Sequence, residues 1–184
     1  MTHPAPALRL HPVIQGEYRV ATGPTDVLTT VLGSCVSICM TDPMAGVGGM
    51  NHFLLPGDPE RPRSEAHYGI NAMELLINGL LKAGARHARL QAKVFGGANA
   101  TGSRFPVGKA NADFAFWFLH NEGIPCVGQD VGGRHARRLR YWPHSGLAQQ
   151  MLLPNATLPE ETVGGAAVRQ RVAPPGAGEP DLFL

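Results

Sequence analysis

Apolar and small or polar side chains alternate through the first half of the chain. Val36, Ile38 and Met40 interleave with Cys35, Ser37 and Cys39, a period of two that predicts a strand running into the turn Asp42-Pro43-Met44-Ala45-Gly46. Met50 to Leu55 reads as a returning strand. The period then changes: Met73, Leu76, Ile77, Leu80 and Leu81 recur on one helical face, and Gly84 stands where a C-terminal cap belongs. Leu90, Ala92 and Val94 mark a further strand ended by Gly96-Gly97. A second helix is predicted from about Ala110 to Asn121, with Ala112, Ala115, Phe116 and Leu119 on one side and Gly123 as its stop. Ile124 to Val131 reads as another strand, and Arg138–Trp142 with Leu147–Leu153 flank the turn His144-Ser145-Gly146 as a closing hairpin. Strands interleaved with two helices predict an α/β domain of mixed sheets; periodicity does not give the pairing order.

The ends of the chain read differently. Residues 1–16 hold prolines and few large apolar side chains, and are expected to be a flexible lead-in. Residues 17–153 form the expected domain, and 154–184, rich in Pro, Gly and Ala, an expected tail.

Charge narrows the function classes. With 16 Lys and Arg against 14 Asp and Glu the net charge is only +2, too little for the long-range field that nucleic-acid binding uses. The densest basic group, Arg134, Arg137, Arg138 and Arg140, reads as a solvated strand face. No apolar run approaches the roughly 20 residues of a membrane span, and the first residues lack a signal-peptide core, so a cytoplasmic location without membrane insertion is expected. Three cysteines without a secretory signal argue for a reactive or buried thiol rather than a disulfide framework.

The sharpest local signal is Leu32-Gly33-Ser34-Cys35, a small-residue turn delivering a cysteine at the start of an apolar strand. A glycine and a serine allow a tight turn whose backbone N–H groups can face an oxyanion, and a thiol needs a base beside it to become a strong nucleophile. His52, on the predicted neighbouring strand, is the best-placed histidine. On spacing alone it fits a satisfied core histidine more readily than a base. Zinc held by Cys35, Cys39 and His52 is disfavoured, because strand rise puts Cys35 and Cys39 about 13 Å apart. Cys39 and Cys126 then read as buried core thiols. The stretches Phe95-Gly96-Gly97-Ala98-Asn99 and Asp130-Val131-Gly132-Gly133 match no phosphate-cradling pattern and read as tight turns.

Motifs follow one another in order through Leu28-Thr29-Thr30-Val31-Leu32-Gly33-Ser34-Cys35-Val36-Ser37-Ile38-Cys39, Asp42-Pro43 and Gly48-Gly49-Met50-Asn51-His52-Phe53-Leu54-Leu55-Pro56. They continue in Ala72-Met73-Glu74-Leu75-Leu76-Ile77-Asn78, Ala92-Lys93-Val94-Phe95-Gly96-Gly97-Ala98-Asn99, Gly123-Ile124-Pro125 and Asp130-Val131-Gly132-Gly133. Through these, from about Val13 to Leu153, the chain resembles the chemoreceptor glutamine deamidases of bacterial and archaeal chemotaxis, the CheD family. The resemblance implies a four-layer α/β/β/α sandwich of mixed sheets, similar to the catalytic domain of the cytotoxic necrotising factors. It also implies a cysteine hydrolase converting glutamines of methyl-accepting chemoreceptors to glutamates; a monomer without a cofactor is the default expectation beside it. Carried over by position, the nucleophile is Cys35, the histidine His52 and the third active-site residue, a threonine, Thr29. This resemblance reverses the balance for His52. One departure is Ala110, where the family often has arginine before the asparagine, here Asn111.

Two rivals stay open at this level. One is a cysteine amidase acting on a small free amide. The other is a binding module that engages a CheC-type phosphatase without chemistry, against which the retained Cys35, His52 and Thr29 argue.

Overall fold

The computed structural model describes residues 6–55, 62–99, 107–153 and 169–170. Ten strands and two long helices follow in chain order: β1 (Arg9–Pro12), β2 (Glu17–Ala21), β3 (Asp26–Leu32), β4 (Val36–Asp42), β5 (Val47–His52), α1 (Pro62–Lys82), β6 (Gln91–Gly96), α2 (Val107–Asn121), β7 (Cys126–Val131), β8 (Ala136–Trp142), β9 (Leu147–Leu153) and β10 (Arg169–Gln170). One mixed sheet has four strands in the order β1-β3-β8-β9; the other has six, β10-β2-β5-β4-β6-β7.

Strand β4 shows why the sequence alternates as it does. All seven of its residues are buried. Val36, Ile38 and Met40 face both helices, packing with Met73, Leu76 and Leu80 of α1 and Ala115, Phe118 and Leu119 of α2. Cys35 and Cys39 face the other way, into a layer shared with Leu28 and Leu32 of β3, Met50 of β5, and Leu139 and Tyr141 of β8. Each fully buried Leu or Met on the helical side contributes about 1.5–3 kcal/mol of burial free energy. Both helices stop where left-handed glycines stand, Gly84 at φ 103° and Gly123 at φ 67°.

The two face-to-face mixed sheets agree with expectation; the number of layers does not. Strands β5, β6 and β7 run parallel, with β5 and β6 each antiparallel to the intervening β4. The connections through α1 and α2 therefore step in the same direction across the sheet, and the right-handed crossover rule sends both over the same face. Among the described residues the order is helices, six-stranded sheet, four-stranded sheet: three layers rather than four.

The lead-in expected over residues 1–16 is also corrected in its described part, residues 6–16. Strand β1 pairs parallel with β3, from Arg9 opposite Asp26 to Pro12 opposite Thr29. A buried polar chain fastens it: Arg19 Nη1 donates to His11 Nδ1 at 2.9 Å, so the ring proton sits on Nε2 and is donated to Asp26 Oδ1 at 2.9 Å. His11, Arg19 and Asp26 are each less than a tenth exposed. The expected tail, 154–184, lies outside the described residues except for β10, which adds parallel to β2.

Two further expectations change. Cys126 is exposed at the start of an edge strand rather than buried. Arg137, read as part of a solvated face, is 1% exposed and donates to the carbonyl oxygens of Asp130 and Gly132 and to the Asp130 carboxylate. The guanidinium thus fastens the turn after β7 to β8, which is why burial is tolerated.

Candidate functional site

Cys35 is 1% exposed and stands between β3 and β4, packed into the layer between the sheets. Three consecutive carbonyls around it are held. Ala98 N–H donates to Gly33 O at 2.8 Å, Asn111 Nδ2 to Ser34 O at 2.9 Å, and Gly97 N–H to Cys35 O at 2.7 Å. The stretch Phe95-Gly96-Gly97-Ala98-Asn99, read from sequence as a simple turn, is therefore the brace of the cysteine turn. Gly96 has φ 110°, and a Cβ there would collide with the carbonyl oxygen of Cys35, so no other residue fits without displacing that turn.

Asn111 couples this brace to the histidine strand. Its Oδ1 accepts Leu55 N–H at 2.8 Å while its Nδ2 holds Ser34 O, and the side chain is fully buried. The first turns of α2 thus fix both sides of the site. Sequence reasoning left Asn111 without a role; the glycine and asparagine of Gly108-Lys109-Ala110-Asn111 were its visible signal.

His52 ends β5 and is 6% exposed. The register Cys39↔Met50 between β4 and β5, extended by the bridge Val36↔Phe53, puts His52 opposite Ser37 and Cys35 opposite Leu54. Cys35 and His52 are therefore diagonal neighbours on one face of the sheet, both turned toward the four-stranded sheet, as Met50 and Leu54 are. His52 Nδ1 lies 2.9 Å from Thr30 Oγ1 and 3.4 Å from the carbonyl oxygen of Val13. A carbonyl only accepts, so Nδ1 carries the proton and Nε2 keeps the lone pair a base needs.

Thr29, the expected third residue, is not the threonine at the ring. Leu28, Thr30 and Leu32 face inward and Thr29 faces outward, paired across the sheet with Arg140. Thr30 takes the contact with His52. Two more side chains border the thiol. Cys35 Sγ–H donates to Gln15 Oε1 over 3.6 Å. Tyr68 of α1 is close enough that, after burial, the Cys35 side chain is the second influence pushing its phenol above the usual range. Neither was foreseen.

Cys39, four residues along, is equally buried. Burial pushes its thiol far above the ordinary value, against the smaller opposing effects of Ser37 and Lys93. It lines a separate cavity of about 220 Å³ with Thr41, Lys93 and Tyr141, farther along the layer between the sheets.

The family model described as CheD chemotactic sensory transduction matches residues 54–151. A protein of Rhizobium etli is 54% identical over 172 residues, 92% of this chain and 91% of its own length. One of Agrobacterium fabrum is 50% identical over 97% of this chain and 98% of its own, and one of Caulobacter vibrioides 48% identical over 98% and 96%. All three bear the name "Probable chemoreceptor glutamine deamidase CheD". At this identity over nearly the whole length, the chain belongs to the CheD family.

Proposed function

We propose that the chain is a cysteine-dependent protein-glutamine deamidase, hydrolysing glutamine side-chain amides of methyl-accepting chemoreceptors to glutamate and ammonia. One observation carries the reading: Cys35 and His52 lie diagonally adjacent on one sheet face, with the cysteine turn pinned at three successive carbonyls. Names borne by relatives about half identical supply the substrate class.

In this mechanism His52 Nε2 takes the thiol proton and the Cys35 thiolate attacks the carboxamide carbon. Negative charge gathers on the amide oxygen, where backbone N–H groups of the Ser34–Cys35 turn stabilise it. The imidazolium returns its proton to the departing nitrogen, giving ammonia and a thioester. Water, deprotonated by the same imidazole, attacks the thioester and expels Cys35, leaving glutamate. Thr30 and the Val13 carbonyl hold the Nδ1 proton in place throughout, so the ring does not change tautomer during the cycle.

Two packed mixed sheets with a cysteine at an inner strand's start also support kinship with the cytotoxic necrotising factor catalytic domain. Among the described residues no helix is long and apolar enough to cross a membrane, which fits action on the cytoplasmic signalling region of receptors.

The test is intact-peptide mass spectrometry of a receptor cytoplasmic fragment incubated with the parent protein and with Cys35→Ala. Site-specific gain of about one dalton with the parent alone is expected. A Cys35→Ala protein that still converts the fragment would exclude this thiol as nucleophile. A folded parent that binds a CheC-type phosphatase but converts no receptor would favour the binding module.

A further inference from the structure

Gln15 sits in the turn between β1 and β2, and that turn is fixed at several points. Glu17 N–H donates to Ile14 O at 3.0 Å, Ile14 N–H to Glu17 Oε2 at 3.2 Å, and Gly16 N–H to the carbonyl oxygen of His52 at 2.8 Å. The turn is thus fastened to the residue that carries the imidazole. From it the half-buried Gln15 side chain reaches the nucleophile, accepting the S–H of Cys35 on Oε1 at 3.6 Å.

A glutamine γ-carboxamide is the group that the proposed reaction consumes. An amide of the same chemistry, held by the chain itself against the same sulfur, marks where a substrate amide comes to rest. The contact is through the amide oxygen as an acceptor. It therefore stabilises the protonated thiol, whereas a reacting amide has to present its carbon to a thiolate.

We propose that Gln15 occupies the substrate-carboxamide subsite of the resting enzyme, a stand-in that the receptor glutamine displaces on binding. This rests on Cys35 being the nucleophile. Substrate binding then includes the withdrawal of the Gln15 side chain, and that withdrawal releases the thiol for ionisation. The backbone bonds that fix the turn do not involve the Gln15 side chain, so its removal leaves the turn's backbone anchors in place.

The experiment measures iodoacetamide alkylation at Cys35 by peptide mapping, which separates it from Cys126 and Cys39, for the parent, Gln15→Ala, Gln15→Asn and Gln15→Glu. Gln15→Ala and Gln15→Asn, which delete or withdraw the amide, should alkylate about fivefold faster, the factor that one net hydrogen bond represents. Gln15→Glu, which puts a carboxylate beside the sulfur, should alkylate more slowly than the parent. On the receptor fragment Gln15→Ala should lower KM without lowering kcat. Parent-like alkylation and KM in Gln15→Ala would overturn the proposal, as would a lower kcat, which would make Gln15 part of the catalytic machinery. Alkylation reads the thiol directly, so this outcome stays distinct from failure of the nucleophile assignment, which the Cys35→Ala assay decides.

Discussion

Thr30 holds the ring of His52 by its Nδ1, and the neighbouring Thr29 points to the opposite face. The two substitutions should therefore separate. Thr30→Val, which keeps shape and removes the hydroxyl, is expected to lower kcat about fivefold to tenfold, the loss of one orienting hydrogen bond. Thr29→Val should turn over receptor fragment within about twofold of the parent. Steady-state kinetics on the same fragment decides it, and equal losses in both would remove Thr30 from its orienting role. A short alternating stretch and a tight turn make the hairpin bearing Cys35 and His52 visible in the sequence, while the role expected of His52 came from the family resemblance. Carry-over by position fell on Thr29, whereas the ring contact is made by Thr30, and a shift of one residue reverses which side chain faces the core. Gln15 was hidden for another reason: it lies in a turn between two strands, neither of which the sequence pattern marks.

At the scale of elements, Asp42 joins pieces that are distant in sequence. Its buried carboxylate accepts Met44 N–H and Ala45 N–H in the β4–β5 turn, and Arg86 N–H and the Arg89 guanidinium beyond α1. The Arg89 hydrogen bond, followed by those from the backbone and opposed by burial, lowers its pKa from 3.8 to about 2. A depressed carboxylate stabilises the fold above its unfolded pKa, and the contribution disappears as the pH falls through the folded one. Between about pH 4 and 2 the parent should lose thermal stability steeply. Asp42→Asn, less stable at neutral pH, should lose markedly less over that interval, and melting curves with parallel acid slopes would refute it. The helices and the β8–β9 hairpin were legible because their stop glycines and turn residues are local chemistry. Strand β1 was not, because Arg9, His11 and Pro12 do not look like a strand. Its hold comes from parallel pairing with β3 and from Asp26 and Arg19, which only the fold brings near.

For the molecule as a whole, that strand makes the N-terminal segment part of the structure. A chain beginning at Glu17 loses the β1–β3 pairing and leaves Asp26 and Arg19 buried without His11. It should be destabilised by about 3 kcal/mol or more, read as a lower urea midpoint. A truncated chain that unfolds with the parent would return residues 1–16 to the role of a loose lead-in. The general class, mixed sheets with two helices, was readable from changes of period; the layer count was not. It depends on the direction in which crossovers step, and strand order is invisible to periodicity. The Asn111 clamp has a consequence in the order of synthesis. Cys35 and His52 belong to one hairpin and leave the ribosome early, whereas Asn111 follows Ser34, whose carbonyl it holds, by 77 positions. The growing chain therefore carries both reactive side chains before it has made the residue that ties their backbones together.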